Sequence, residues 1–223
     1  MALNTQKGNM YDFVTHTWNT VKGKCPHDCG YCYMKRWGHL KEPRFDSSEL
    51  KTDLGADNFI FVGSSNDLFA DQHPDEWIVK TLDYCESFVD NKYLFQSKNP
   101  SRILDYIQHP VFKKAVVCTT METNRIYPVA MNNSSNAYVR AEAMRKITAF
   151  VSTYVTIEPI MDFDLDEFYP LIKKCNPEQV NIGADSGHNN LIEPTAKKVL
   201  DLISSLEKVT KVNQKFNLKR ILQ

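Results

Sequence analysis

The sequence has no net charge: 27 Lys plus Arg balance 27 Asp plus Glu over 223 residues. A chain without bulk positive charge does not hold nucleic acid by overall attraction, so any contact with a polyanion has to be local. Long apolar runs are missing as well. Nothing approaches the roughly 18 residues that span a bilayer. Residues 1–12 are polar and lack the apolar core of a secretory leader. The expectation is a cytoplasmic protein with no membrane partner. A P-loop, a G-x-G-x-x-G fingerprint, a Ser/His/Asp pattern, internal repeats and low-complexity linkers are also absent. What remains is ordinary globular composition, 42% hydrophobic and 24% charged, of a length that fits one domain over residues 1–223.

Short β-rich runs recur at 12–18, 58–63, 93–97, 115–119, 151–157 and 179–184. Several are continuously apolar, notably Phe59-Ile60-Phe61-Val62 and Ala115-Val116-Val117-Cys118. Continuous runs suit strands covered on both faces, as in a parallel sheet. Helical patterns lie between them: one opens near Pro74, one at Asn99-Pro100, then 137–147, 166–174 and 194–208, the last with Leu200, Ile203 and Leu206 inward. Spacing of about 30 residues per strand is that of βαβ units. Six in series predict an α/β fold, a partial (β/α)6 TIM-like barrel of parallel strands, with an open doubly wound sheet as the alternative. Either way, a site belongs at the carboxyl ends of the strands. Residues 132–136 read as a polar loop. The tail 208–223, with Lys208, Lys211, Lys215, Lys219 and Arg220 against no acid, reads as solvated surface or as a contact for a polyanion.

Of six cysteines, three fall within eight residues: Cys25, Cys29 and Cys32, spaced C-x3-C-x2-C. Without a secretion signal, clustered thiols indicate metal rather than disulfides. Three thiolates in so short a loop can wrap a cubane iron–sulfur cluster and leave one iron open. Gly30 is expected to give the loop backbone freedom. The competing reading is a zinc site completed by His27 or His39. Cys85, Cys118 and Cys175 are scattered and read as buried apolar residues. A sharper reading gives Cys118 the return of a hydrogen atom to a substrate radical. The remaining histidines, His16, His73, His109 and His188, read as structural or solvated.

The cysteine loop, with aromatic Tyr31 before the third cysteine, resembles the cluster loop of the radical S-adenosylmethionine superfamily. Segments 17–19, 61–69, 94–100, 157–162 and 181–186 further resemble a poorly characterised radical-SAM-like family found in phages and prokaryotes. The resemblance implies a 4Fe-4S cluster on Cys25, Cys29 and Cys32 that reductively cleaves S-adenosylmethionine. The resulting 5′-deoxyadenosyl radical would abstract hydrogen from a substrate, among which a nucleic acid or nucleotide is weakly favoured. It also implies a reductant such as flavodoxin or ferredoxin.

For the cofactor it points to Tyr31 and to Ser64, Ser65, Asn66 and Asp67 after the second strand, where the superfamily's common G-G-E-P is replaced. The other cofactor candidates are Lys98 after the third strand, Thr120 and Glu122 after the fourth, and Glu158 after the fifth. Asp185 is a further candidate. Asp162, Asp164, Asp166 and Glu167 could form a metal loop but more often open a helix. The alternative functions are a non-catalytic iron–sulfur or zinc protein working with a partner chain, and a zinc-stabilised nucleic-acid module.

Overall fold

A computed structural model describes residues 3–6 and 10–223. Among the described residues there are ten strands: β1 Asn4–Thr5, β2 His16–Trp18, β3 Val21–Lys22, β4 Arg44–Phe45, β5 Phe59–Val62, β6 Lys92–Gln96, β7 Ala115–Thr120, β8 Ser152–Ile157, β9 Gln179–Ile182 and β10 Lys211–Gln214. The α-helices are α1 Asp75–Glu86, α2 Pro100–Ile103, α3 Pro128–Met131, α4 Ala137–Ile147, α5 Leu165–Lys174, α6 Ala196–Leu206 and α7 Lys219–Leu222.

One eight-stranded sheet runs β1-β2-β5-β6-β7-β8-β9-β10. Within this sheet β2, β5, β6, β7, β8, β9 and β10 pair in parallel and β1 pairs antiparallel with β2, while β3 and β4 form a separate antiparallel ribbon. The two end strands do not pair, so this α/β fold is a partial barrel with an open side. It has one parallel strand more than the six the sequence predicts. The seventh, β10, comes from the segment read as solvated tail. Lys211–Gln214 pairs in register with Gln179–Ile182 and Lys215 is buried, a departure from that reading, whereas Lys208, Lys211, Lys219 and Arg220 are exposed as it expects. Apolarity could not reveal this strand, because Lys-Val-Asn-Gln sits at the sheet's edge and needs little apolar surface.

Alternation along the strands sorts two faces. Ile60, Val62, Tyr93, Phe95, Val117, Val155, Ile157, Val180 and Ile182 pack outward against the helices in the main core. Phe61, Leu94 and Cys118 turn inward, where Tyr11 and Val14 cross the concave face. The runs look continuously apolar because both faces are covered. Each fully buried aliphatic or aromatic side chain stabilises by about 1.5–3 kcal/mol, so the helix-covered face carries most of the stability. In α6 the inward residues are Val199, Leu202, Ile203 and Leu206, whereas Leu200 is exposed, a correction to the predicted helix face.

Candidate functional site

The cysteine loop lies beyond β2, at the carboxyl end of the sheet. Cys25, Cys29 and Cys32 are all free thiols. Short backbone bonds fold the loop: Asp28 N donates to Cys25 O at 3.1 Å, and Cys32 N to Cys29 O at 3.1 Å. Asp28 takes a left-handed φ of 48°, which Asp tolerates better than most residues. Gly30 has an ordinary φ, so freedom is not why glycine stands there. A Cβ at Gly30 would lie 2.5 Å from the Val129 carbonyl oxygen, and Gly30 N donates to Ala130 O at 2.9 Å. Close approach to α3 is the requirement. The polar loop 132–136 braces the same turn. Asn133 N donates to His27 O at 3.1 Å, and the Asn132 and Asn133 side-chain amides donate to the carbonyls of Asp28 and Pro26, each at 3.1 Å.

Asn66 and Asp67, just after β5, clamp the loop from the other side. Asn66 Nδ2 donates to the carbonyls of Gly23 and Lys24, each at 3.2 Å. Its Oδ1 accepts from His73 Nε2 at 2.8 Å. Burial lowers the His73 pKa to about 4, so the ring is neutral. Asp67 is buried and accepts from His27 Nε2 (2.7 Å), Ser97 Oγ (3.0 Å), Lys98 N (2.8 Å) and Phe69 N (3.0 Å). Three of these bonds fall on Oδ2 and one on Oδ1, so the chain itself engages both carboxylate oxygens. Burial raises its pKa, but the hydrogen bond and charge of His27 and the backbone donors override this and lower it. Ser64 and Ser65 lean on Asn19, whose Oδ1 accepts from Ser64 Oγ at 3.2 Å and Ser65 N at 2.9 Å.

Burial pushes the Cys25 thiol up to about 12 and also raises Cys29. Backbone donors of His27 and Asp67 face the Cys25 sulfur and work the other way. Three free thiols in one braced loop, Cys29 buried and Cys25 and Cys32 partly so, are a soft donor set suited to iron or zinc. Among the described residues, no three His, Cys, Asp or Glu side chains close on one point as a single ion would require. Sulfurs sharing one zinc at about 2.3 Å bond length must lie within about 4 Å of each other. Cysteines on a cubane hold separate irons and need no such convergence. The histidines that might complete a zinc site are committed or remote: His27 is bonded to Asp67, and His39 is exposed.

Three of the predicted residues meet in one cluster. Glu122, two residues beyond β7, is fully buried. Lys98 Nζ donates to Glu122 Oε1 at 2.7 Å and to the Tyr31 hydroxyl at 2.6 Å, and Tyr31 in turn donates to Glu122. Arg140 of α4, also fully buried, donates from Nη1 to Glu122 Oε2 at 2.8 Å and to Thr120 O at 2.7 Å. Burial alone would raise the Glu122 pKa, but Arg140 and Lys98 hold it well below the usual carboxylate range. Burial and the Glu122 charge raise Tyr31 well above the usual phenol value, so it stays a donor.

Thr120 opens a polar row across the concave face. The register pairs Thr120, Thr156, Asn181 and Asn213 on successive strands. Tyr11 reaches in from the N-terminal segment, its hydroxyl donating to Gln96 Oε1 at 2.6 Å and sharing a 2.7 Å hydrogen bond with Thr156. Cys118 lies 3.4 Å from the same Thr156 hydroxyl, and burial raises its pKa to about 12, as expected of a core thiol.

Glu158 forms a separate cluster at the far end of this row. It accepts from Lys215 Nζ at 2.6 Å and Asn217 Nδ2 at 2.8 Å. Gly183 leaves room for it: a Cβ there would lie 2.8 Å from the Glu158 carboxyl carbon. An apolar recess of about 290 Å³, lined by Gly30, Val129, Met161, Leu191 and Ile192 among others, opens beside the cysteine loop.

The acidic run does not gather as a metal loop. Arg125 pairs with Asp162 and Asp164, and Lys198 pairs with Asp162. Asp185 organises its own loop, accepting from Gly187 N at 3.1 Å and Asn189 Nδ2 at 2.6 Å. Arg140, Asn217 and Tyr11 carry no signal in the sequence, and Lys215 reads there only as one of the basic residues of the tail. Arg140 sits in mid-helix, where arginine is ordinarily solvated, and no local signal marks it.

A family model described as a protein of unknown function (DUF5131) matches residues 9–201. No curated protein matches the sequence significantly. Among solved structures, a cysteine-to-serine mutant of spore photoproduct lyase has a TM-score of 0.67 at 12% identity, covering 95% of this chain and 79% of the other. A cysteine-to-alanine mutant of the same enzyme gives 0.67 at 10% identity, with 96% and 81% covered. A mutant with bound AdoMet and dinucleoside spore photoproduct gives 0.59 at 12% identity over 92% of this chain, which spans 64% of that protein. At this identity the likeness is one of fold.

Proposed function

For a chain that belongs to the DUF5131 family, we propose a radical S-adenosylmethionine enzyme whose Cys25, Cys29 and Cys32 hold a 4Fe-4S cluster. The observation that carries this is three free thiols in one doubly braced loop at the carboxyl mouth of a parallel partial barrel. The solved structures that share the fold support it, one of them with bound AdoMet. When bound, the cluster and S-adenosylmethionine supply a 5′-deoxyadenosyl radical that takes hydrogen from substrate.

The chain's own residues divide the remaining work. Asn66 and Asp67 keep the cysteine loop in place, because their polar atoms are engaged with it. Ser64 and Ser65 offer acceptors for the cofactor's ammonium. Lys98 reaches Tyr31 of the loop and serves the cofactor's carboxylate, and Glu122 keeps that lysine aimed. Thr120 and Glu158 face the concavity and serve ribose or substrate hydroxyls. The apolar recess beside Gly30 suits the purine, with Tyr31 at the loop behind it. The sheet's concave face excludes water around the reacting groups. A one-electron donor of the flavodoxin or ferredoxin type completes the system.

Anaerobic reconstitution of the full chain tests the cluster. Wild-type protein is expected to be brown, with about four irons and four sulfides, and Cys25→Ala, Cys29→Ala or Cys32→Ala to lose them. Stoichiometric zinc and no iron would overturn the proposal.

A further inference from the structure

Residues 21–45 carry six Lys and Arg against two acids, in a chain whose net charge is zero. The fold concentrates them. β3 and β4 pair antiparallel and place Lys22 directly opposite Arg44, and Lys24 N donates to Lys41 O at 2.8 Å. Like charges opposite each other destabilise a ribbon, so stability does not explain this arrangement. Lys22 and Lys24 have acidic neighbours, Glu49 and Asp28. Among the described residues, Arg36, Lys41 and Arg44 have no ion-pair partner.

At the tip of this lobe, the 3₁₀ turn Tyr33–Trp37 follows Cys32 directly. Trp37 is 67% exposed and Tyr33 46% exposed. Arg36 lies between them, its guanidinium carbon 5.5 Å from the Tyr33 ring centre and 5.4 Å from that of Trp37. The Tyr33 hydroxyl donates to the Ser64 carbonyl at 2.9 Å, which fixes one end of the ring, while the side chain stays exposed. Trp18 is buried and Trp77 half-buried, so Trp37 is the one widely exposed tryptophan.

We propose that this basic, aromatic lip binds single-stranded nucleic acid, with bases stacked on Trp37 and Tyr33 and phosphates on Arg36, Lys41 and Arg44. Flat aromatic faces, with an arginine between them and unpaired cations alongside, are how proteins grip strands whose bases are not already paired. A duplex would present only phosphates here and leave the ring faces idle. The inference rests on the enzymatic reading for one thing: the strand would lie next to the cysteine loop, where its sugars and bases are within reach of the chemistry. Binding itself needs no cluster, so the two readings fail separately.

The test uses the full chain, metal-free and reconstituted, titrated with a short single-stranded DNA, a single-stranded RNA of the same sequence, the corresponding duplex and heparin. Tryptophan fluorescence should be quenched by the single strands, and anisotropy should show tighter binding to them than to duplex or heparin. Trp37→Ala should weaken single-strand binding roughly five- to hundredfold without altering the melting temperature, since the side chain is exposed. Lys41→Ala should flatten the salt dependence by about 0.7 in log–log slope. Trp37→Ala binding as tightly as wild type, or heparin binding as well as DNA, would overturn the proposal. So would quenching by an acidic flavodoxin but not by oligonucleotide, which would assign the lip to an electron-transfer partner.

Discussion

Glu122 and Glu158 stand two residues beyond Thr120 and Thr156, neighbours in one cross-strand row. Glu122 has no exposed surface and is held by Lys98, Tyr31 and Arg140. Glu158 is half-buried at the rim, held by Lys215 and Asn217 from the last strand's end. The difference teaches how the mouth is built. Next to the cysteine loop, the chain surrounds an acid with two cations and a phenol, fixing the charge balance before any ligand arrives. At the opposite side the acid keeps some exposed surface, with the cation Lys215 and the amide of Asn217 among its partners.

Removing the cation that only the buried acid has should have the largest effect. Arg140→Ala strips Glu122 of its fully buried partner, and breaking such a pair costs about 3–5 kcal/mol. Urea denaturation should show this as a lower midpoint with an unchanged slope, and a cost below 1 kcal/mol would mean the cluster is not the anchor described. Next in size is Gly183→Ala, which sets a Cβ 2.8 Å from the Glu158 carboxyl carbon and 2.9 Å from Asn217 Oδ1. Overpacking of this kind costs about 1–3 kcal/mol. The rim should be rebuilt and the Glu122 side untouched, which amide and side-chain chemical shifts would show. Glu158→Gln keeps the shape but takes a charge partner from the buried Lys215, so a loss of about 2 kcal/mol is expected, smaller than that of Arg140→Ala because the rim can hydrate what is left. A loss as large as that of Arg140→Ala would erase the distinction between the two acids.

The buried acid also makes stability depend on pH. The Glu122 pKa is lowered in the folded chain from the ordinary 4.5. A depressed carboxylate binds fewer protons folded than unfolded. Its stabilisation is therefore complete above about pH 4.5 and is lost as pH falls toward the folded value. Glu122→Gln should flatten stability below about pH 4.5, at the expense of lower stability at neutrality. An acid limb identical to wild type would contradict the charge balance described.

Legibility followed the same division. The cysteine loop could be read because its ligands are contiguous and the spacing is itself the signal. Tyr31, Lys98 and Glu122 were legible as polar residues at strand ends, though not as one cluster, since 91 residues separate Tyr31 from Glu122. Asn66 and Asp67 were legible as a place rather than a role: nothing in Ser-Ser-Asn-Asp says that its last two residues face back to grip the cysteine loop. Arg140 left no trace because a helix interior gives arginine no distinctive neighbours in sequence. Lys215 was hidden by its surroundings, a run of lysines that resembles a solvated tail until the β10 register with β9 turns one of them inward.

The most direct test of the central claim is an anaerobic incubation of reconstituted protein with dithionite and S-adenosylmethionine, followed by chromatography for 5′-deoxyadenosine. The account predicts 5′-deoxyadenosine and methionine from wild type and neither from Cys29→Ala. A fully loaded cluster that yields no 5′-deoxyadenosine, with or without single-stranded nucleic acid present, would contradict it.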